Sequence, residues 1–372
     1  MRALFFLNSF AGGGAERVCL SLAIQLHKLG IESDFVTIYD ALPDYDIPDH
    51  IRIFSIGIST KASSLTVLID LLKAVPRVDT FISGKKYILI TAHLQPSYLL
   101  AVLTRKGKHT LYVMHNRWGQ DAGWKERLST AVLKKVLKRK QIVTVSHGLE
   151  EELIDKYRMR PQNITTIYNP CSDVELQSEQ WSSLPHPRPY ILVMGRLVEQ
   201  KNPLRALALY RDGRFYEHYD LVYIGRGPLE KRLKNEIAKS KLVNYVFLPG
   251  FQRNTRQWIS NASLLLSCSK YEGFSLNLVE ALLCKTPVVS SDCPYGPREI
   301  LTDELAAYLI DPENDSDPAE SISVISAALR SYPEITEKYY AKFDDARIVR
   351  RYLDVWHKKF GDESNSGREE GL

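Results

Sequence analysis

The chain has 372 residues, 44% hydrophobic and 25% charged, an ordinary balance for a soluble globular protein, and its length fits two domains better than one core. No apolar run approaches the roughly 18 residues of a membrane span, and the start, "MRALFFL", holds too short an apolar stretch for a secretory signal. Five scattered cysteines (Cys19, Cys171, Cys268, Cys284, Cys293) lack metal-ligand spacing, which argues against structural zinc and for a reduced, cytoplasmic protein.

In chain order, "RALFFLN" reads as a buried strand, followed by a helix from about Ala15 to Lys28. The apolar runs "SDFVTIY", "IRIFSI", "YILITAH", "TLYVMHN" and "QIVTVSH" then alternate with helical patterns, which predicts a parallel sheet with crossover helices. Among those helices, "KERLSTAVLKKVLKRK" (125–140) sets Val132, Leu133, Val136 and Leu137 on one arc. Arg127, Lys134, Lys135, Lys138 and Arg139 fall mostly on the other. Two readings stand: a surface helix docked by its apolar face, or a basic face attracted to anionic lipid.

The pattern lapses after Ile167 into a polar, proline-containing stretch, so 169–188 reads as a linker between domains at 1–168 and 189–344. It restarts with "YILVMGR", "YDLVYIGRG", "YVFLPGF", "ASLLLSCS" and "TPVVSSD". Apolar residues at Ile348, Val349, Tyr352, Leu353, Trp356 and Phe360 form a helical stripe at 345–361, and the polar tail 362–372 reads as disordered. The expected fold class is α/β, two Rossmann-like βαβ domains facing a central cleft lined by the carboxyl ends of both sheets.

The net charge of +5 is uneven: residues 1–170 hold 23 Lys/Arg against 15 Asp/Glu, so the first half suits an anionic partner such as a membrane surface, a phosphate or a nucleic acid. No aromatic-rich basic module is present, so nucleic acid is not expected.

Four stretches carry candidate chemistry. In "YEGFSLNLVEALL" a helix follows a strand and a glycine loop. The N–H groups of its first turn, about Phe274 to Asn277, have no partners within the helix and with its dipole suit a phosphate. Gly273 permits close backbone approach; Glu272 lies in the loop and Glu280 about two turns in, where a carboxylate can accept from two hydroxyls such as a ribose diol. Both glutamates are equally at home as solvated acids near a helix start. In "MGRLVEQKNP", Arg196 and Lys201 follow a strand and could neutralise a departing diphosphate, or be ordinary surface cations in a turn. In "NSFAGGGAERVCL", Gly12, Gly13 and Gly14 open a helix; Arg17 stands where a dinucleotide fingerprint needs its third glycine, leaving a phosphate-friendly loop or a plain tight turn. His115 ends a strand in the first domain, facing the cleft or serving structure.

Assembled, these stretches resemble glycosyltransferase family 4, retaining enzymes of the GT-B fold of the bacterial surface-polysaccharide and lipid-linked glycan type. "EGFSLNLVEAL" is similar to the family's E-x7-E signature, "GRLVEQKNP" to its second-domain phosphate loop and "AGGGAER" to its first glycine loop. "IGRGPLEKRL", "FLPGF" and "CPYGPREIL" follow in the expected order, over about residues 5–305.

The resemblance implies a UDP-sugar donor held mainly by the second domain and no metal. Glu280 would hold the ribose hydroxyls, and Arg196 and Lys201 would contact the diphosphate with backbone groups at Gly273, Phe274, Ser275 and Leu276. Glu272 would bind the donor sugar, Gly13 and Gly14 would approach the phosphates and the acceptor, His115 would reach the sugar, and Gly250 and Phe251 would sit near the base. It further implies that the terminal helix crosses back onto the first domain. Pro294-Tyr295-Gly296-Pro297 stands where many members have two adjacent glycines, which opens the identity of the sugar. "PDYDIP", with Asp44 and Asp46, formally matches an acidic metal motif but reads as a solvated turn.

The implied activity is transfer of a hexose or N-acetylhexosamine, with retained anomeric configuration, to a lipid-linked or surface-polysaccharide hydroxyl such as that of lipopolysaccharide, capsule or O-antigen. The expected location is the inner face of the cytoplasmic membrane, with the basic first half peripheral on it. A sugar-nucleotide epimerase of the same fold and a non-catalytic nucleotide-sugar-binding protein remain as alternatives.

Overall fold

Runs such as "ALFFL" bury every side chain from Ala3 to Leu7, as strands covered on both faces by helices must. The computed structural model describes residues 1–11, 13–44, 46–117, 124–171, 185–312 and 318–361, with side chains for all of these but 124–130. It divides into two units, residues 1–172 with 343–372, and residues 173–342. Most of the 169–188 linker and the whole 362–372 tail lie outside the described residues.

The first unit contains β1 (Arg2–Leu7), β2 (Glu32–Asp40), β3 (Arg52–Ser59), β4 (Tyr87–His93), β5 (Leu111–Met114), β6 (Gln141–Thr144) and β7 (Ile164–Thr166). They pair in parallel in the order β3-β2-β1-β4-β5-β6-β7. The crossovers carry α1 (Gly14–Lys28), α2 (Ser64–Ile82), α3 (Ser97–Leu103), α4 (Trp124–Leu137) and α5 (His147–Asp155). Strand β7, three residues long, is too short to show a pattern in sequence. In α4, Leu133 and Leu137 are buried, but Val132 is 55% exposed, contrary to the expected four-residue arc. At about 100° per residue, burial centred on the i, i+4 pair 133/137 leaves Val132 at the margin.

The second unit contains β8 (Tyr190–Met194), β9 (Asp220–Ile224), β10 (Val246–Gly250), β11 (Leu264–Ser267), β12 (Val288–Ser291) and β13 (Leu309–Ile310), in the order β10-β9-β8-β11-β12-β13. Its helices are α6 (Pro203–Asp212), α7 (Glu230–Lys239), α8 (Thr255–Ser260), α9 (Leu276–Leu283), α10 (Pro297–Ile300) and α11 (Ala319–Arg330). The two-residue β13 is the strand that sequence patterning misses. One cluster spans this core, from Ile191 and Tyr223 on the sheet to Leu207, Leu233 and Ile325 on the helices.

Helix α12 (Asp345–Phe360) belongs to the first unit and packs on α1 and β4. It buries Ile348, Val349, Tyr352, Trp356 and Phe360; Asp344 caps it by accepting from the Arg347 N–H at 2.8 Å. The Trp356 indole N–H donates to the His109 carbonyl at 2.8 Å, and Lys359 donates to the Gln162 carbonyl at 2.9 Å.

The amino edge of the first sheet is closed by a charge network. Asp34, fully buried on β2, accepts from Arg2 on β1 (Nη2 2.6 Å, Nε 3.0 Å), from Tyr87 on β4 (2.7 Å) and from Lys85 (3.1 Å). Burial works against the Asp34 charge, but the bonds from Arg2, Tyr87 and Lys85 outweigh it and hold the carboxyl below its ordinary value. Removing one member of a buried ion pair leaves uncompensated charge, so Asp34→Asn should cost about 3 kcal/mol of stability at pH 7. A depressed folded pKa gives stability that is present at neutral pH and is lost as pH falls below about 4. Urea unfolding of wild type and Asp34→Asn at neutral and acid pH should therefore show the gap closing in acid.

Candidate active site

In the second sheet β8 and β11 are hydrogen-bonded neighbours whose chains leave in opposite directions, toward β9 and toward β12. That reversal is the point at which open α/β sheets receive ligands, because no crossover covers it. The loop after β8 carries Arg196 and Lys201; the loop after β11 carries Glu272 and Gly273. A small recess between the two strand ends is lined by Gly195, Arg196, Lys201, Ser267 and Ser269 among others.

The two loops are joined by side chains and backbone. Lys201 donates from Nζ to Glu272 Oε1 at 2.5 Å, and Ser269 donates from Oγ to the same oxygen at 2.6 Å. Glu272 is buried and Lys201 partly so, which makes this a shielded ion pair. Lys270 N–H donates to the Gln200 carbonyl at 2.8 Å, and the Gln200 amide donates to the Tyr271 carbonyl at 3.0 Å. Asn277, in the first turn of α9, donates to the Met194 carbonyl at the end of β8 at 2.8 Å. The side-chain roles of Ser269, Gln200 and Asn277 have no signal in the sequence, since none of these side chains stands in a chemically telling pattern; Asn277 enters there only through its backbone N–H.

Two glycines shape the β8 loop. Gly195 has φ +139°, and the aliphatic stem of Lys201 lies over the place a side chain would take. Gly225, after β9, has φ +136°, and a Cβ there would lie 2.0 Å from the Gly195 carbonyl oxygen. Arg196 is exposed on this loop.

Helix α9 begins at Leu276 with Ser275 as its N-cap, so Phe274, Ser275 and Leu276 stand at its positive end, as expected. Glu280 is the fifth helical residue and buried, a little over one turn from the start rather than about two. The difference follows from the 3.6-residue turn counted from Leu276. The loop after β12 pairs with the Glu272 loop in both directions: Glu272 N–H donates to the Pro294 carbonyl (2.8 Å) and Tyr295 N–H to the Glu272 carbonyl (2.9 Å). Gly296, at φ +99°, passes so close that an added Cβ would be 3.1 Å from Phe274 Cα. Cys293 is buried beside Glu272; burial and then that carboxylate push its thiol up, keeping it protonated. Gly250 ends β10 with its carbonyl accepting from Gly225 N–H at 2.9 Å, and Phe251 beside it is half-buried.

In the first unit the corresponding reversal lies between β1 and β4. Asn8, just after β1, donates its amide to the Gln95 carbonyl at 2.5 Å and accepts from Ser97 N–H at 3.3 Å. Gly13 is the N-cap of α1 and Gly14 its first residue; Gly12 lies outside the described residues. His115 follows β5, buried, with Nε2 2.8 Å from Nδ1 of His93, whose Nε2 is 2.9 Å from the Thr91 hydroxyl. Asp44 and Asp46 lie in the β2–β3 connection, half-buried and exposed, with Asp44 N–H on the Phe10 carbonyl at 3.0 Å.

Two family models match in succession, Glycosyltransferase Family 4 over residues 12–173 and Glycosyl transferases group 1 over residues 176–334. This chain is a family 4 glycosyltransferase. Its units are the two Rossmann-like α/β domains of the GT-B fold. Among curated proteins it is 26% identical, over 94% of its own length and 97% of the relative's, to the N-acetylgalactosamine-N,N'-diacetylbacillosaminyl-diphospho-undecaprenol 4-alpha-N-acetylgalactosaminyltransferase of Campylobacter jejuni. Among solved structures it is similar to the pneumococcal O-GlcNAc transferase GtfA in complex with UDP and GlcNAc (14% identity, 96% of this chain and 99% of that one, TM-score 0.69). It is also similar to Anabaena HepE in complex with UDP and glucose (18% identity, 98% and 100%, TM-score 0.67).

The histidine pair yields a prediction. Burial pushes His115 down to about 3 and His93 well below its ordinary value, and the neighbouring His115 ring lowers His93 further. Both rings are therefore neutral at working pH, and one must donate to the other. In a histidine-labelled protein the His115 ring resonances should stay constant between about pH 5 and 8, the range in which a free imidazole changes charge. A midpoint for His115 in that window would show that the pair is hydrated.

Proposed function

We propose that this glycosyltransferase moves a hexose or N-acetylhexosamine from a UDP-sugar to a hydroxyl of a lipid-linked or surface-polysaccharide acceptor, retaining anomeric configuration and needing no metal. The observation that carries the reading is the Lys201–Glu272 ion pair at the β8/β11 reversal, next to the N-terminus of α9. A diphosphate at that helix end gains from the positive dipole, worth about 0.3–1 kcal/mol per charge at an exposed helix end and more where partly buried. Lys201 and the exposed Arg196 add the full charges that a metal ion would otherwise supply.

Glu272 Oε1 is occupied by Lys201 and Ser269, which fixes the carboxylate and turns its second oxygen to the donor sugar. Lys201 so held can exchange Glu272 for a phosphate oxygen as charge develops on the leaving diphosphate. Glu280, buried one turn below the phosphate end of α9, receives the ribose hydroxyls, and Gly250 and Phe251 flank the base. In this reading the acceptor hydroxyl attacks from the face the diphosphate leaves, with a phosphate oxygen taking its proton. Of the His115 ring, Nδ1 is the nitrogen left for a sugar hydroxyl, since Nε2 faces His93. Gly13 and Gly14 open the way for the phosphates and acceptor at the start of α1.

The UDP part draws on GtfA and HepE, whose crystals contain UDP, and the acceptor part on the Campylobacter relative, named for a diphospho-undecaprenol substrate. Among the described residues no helix is long and apolar enough to cross a membrane.

Calorimetry with UDP, GDP and a panel of UDP-hexoses and their N-acetyl forms, in EDTA and then with magnesium, should give saturable binding of one UDP-sugar in EDTA. Binding only with metal would overturn the assignment of Arg196 and Lys201. Loss of a charge-assisted contact costs about 1.5–3 kcal/mol, so Glu280→Ala should weaken UDP about 10- to 100-fold. Glu272→Ala should keep UDP affinity within about threefold and lower kcat about a hundredfold or more. Unchanged UDP affinity in Glu280→Ala would remove the ribose assignment.

A further inference from the structure

Helix α2, which connects β3 to β4 in the first unit, is apolar on two separate faces, one buried and one exposed. Val67, Leu71, Ala74, Val78 and Ile82 are buried, and α2 packs on α3 and β3. Leu65, Leu68, Ile69 and Leu72 are exposed by 67, 39, 41 and 52%. Their i, i+3, i+4, i+7 spacing makes one stripe, and at about 100° per residue its centre lies roughly 130° round the helix from that of the buried arc. Single exposed leucines are ordinary, whereas four contiguous ones on a well-formed helix mark an interaction surface.

Exposed charge beside the stripe is basic: Lys73 and Arg77 lie on one flank of α2 and Lys61 just before it. The helix's acids, Asp70 and Asp79, are half-buried, and Asp79 is engaged by Arg105, with N–H of that residue donating at 3.0 Å. A second copy docked on this face would bring like charges together. An anionic bilayer would instead take the leucines at the headgroup–acyl boundary and neutralise the cations. Because α2 follows the carboxyl end of β3, its first turns stand on the edge of the sheet to which Asn8 and His115 also belong.

We propose that the outer face of α2 is a docking surface for an anionic lipid bilayer. The proposal deepens the function proposed above, since a lipid-linked acceptor would then be presented at that sheet edge. It places the contact on α2 rather than on the basic helix α4, whose Leu133 and Leu137 are buried.

The test is co-sedimentation of the full chain with phosphatidylcholine vesicles, with and without phosphatidylglycerol, at low and about 0.15 M ionic strength. Wild type should bind the anionic vesicles, less so in salt. The combined variant Leu65→Gln, Leu68→Gln, Ile69→Gln, Leu72→Gln should bind about tenfold more weakly or worse, having lost the apolar term. Lys73→Glu with Arg77→Glu should remove the salt-sensitive part. Since all six residues are exposed, thermal unfolding and UDP binding should match wild type in both variants. Wild-type binding retained by the leucine variant, no wild-type binding, or loss of binding only on reversing Lys134, Lys135 and Lys138 would overturn the proposal. So would a concentration-dependent dimer that the leucine variant abolishes. Sugar transfer to a soluble acceptor is read separately: vesicle binding without transfer would sink the enzymatic reading and leave the docking surface standing.

Discussion

Two neighbouring parallel strands whose chains depart to opposite sides cannot have their carboxyl ends covered by either crossover, and the chemistry of this protein depends on what fills that opening. At β8 and β11 it is a buried carboxylate bonded by a lysine from the other loop. Bringing Lys201 and Glu272 out of water is costly, and their attraction recovers that cost only with good geometry and further hydrogen bonds. Ser269 supplies one such bond; the backbone exchange of Glu272 with Pro294 and Tyr295 holds the loop from the other side. The pair is thus a stored electrostatic arrangement. In the proposed function a diphosphate arriving at the N-terminus of α9 would meet a cation already aligned, and the glutamate it displaced would remain fixed for the sugar.

The sheet edges divide the labour. In the first unit the amino edge concentrates charge: Arg2, Asp34, Lys85 and Tyr87 close the starts of β1, β2 and β4 in a network that favours ionised Asp34. The carboxyl edge has the opposite character at its centre, where His93 and His115 are buried and neutral. Charge that stabilises the fold is therefore kept at the far end of the strands from the place where a ligand would bind. A neutral imidazole pair next to that place can exchange hydrogen bonds with hydroxyls without opposing a negatively charged donor's approach, or trapping it after reaction.

Much of this was legible in sequence. The apolar runs located the strands of both sheets except β7 and β13, which at three and two residues are held by their neighbours rather than by their own pattern. The glycine and charge motifs after β8 and β11 were legible because each is compressed into one loop. What joins them was not: Lys201 and Glu272 are 71 residues apart, and no local rule says that they form an ion pair. The same holds for His93 with His115, and for Asn8 with Gln95, contacts made only when crossovers return the chain to the same edge. Serine at 269 is chemically plain until the fold places its hydroxyl on Glu272.

Helix α2 shows the converse limit. "SLTVLIDLLKAVPRV" is apolar nearly all round, and periodicity alone assigns such a helix to a buried position. The topology does not allow it, because α2 follows the edge strand β3, whose own side chains are largely exposed or half-buried, and one helix face has nothing from the described residues over it. Leucines held outward at the end of a sheet cost solubility without aiding the fold. Their retention beside Lys73 and Arg77 is understandable if the surface they meet is itself half apolar and half anionic. On that view one physical rule operates at both ends of the reaction. Under the two proposals, phosphate charge would be met by a cation and a helix dipole at α9, and by basic side chains on one flank of an apolar stripe at α2, so that the donor would be held at the sheet reversal and the acceptor at the protein's surface.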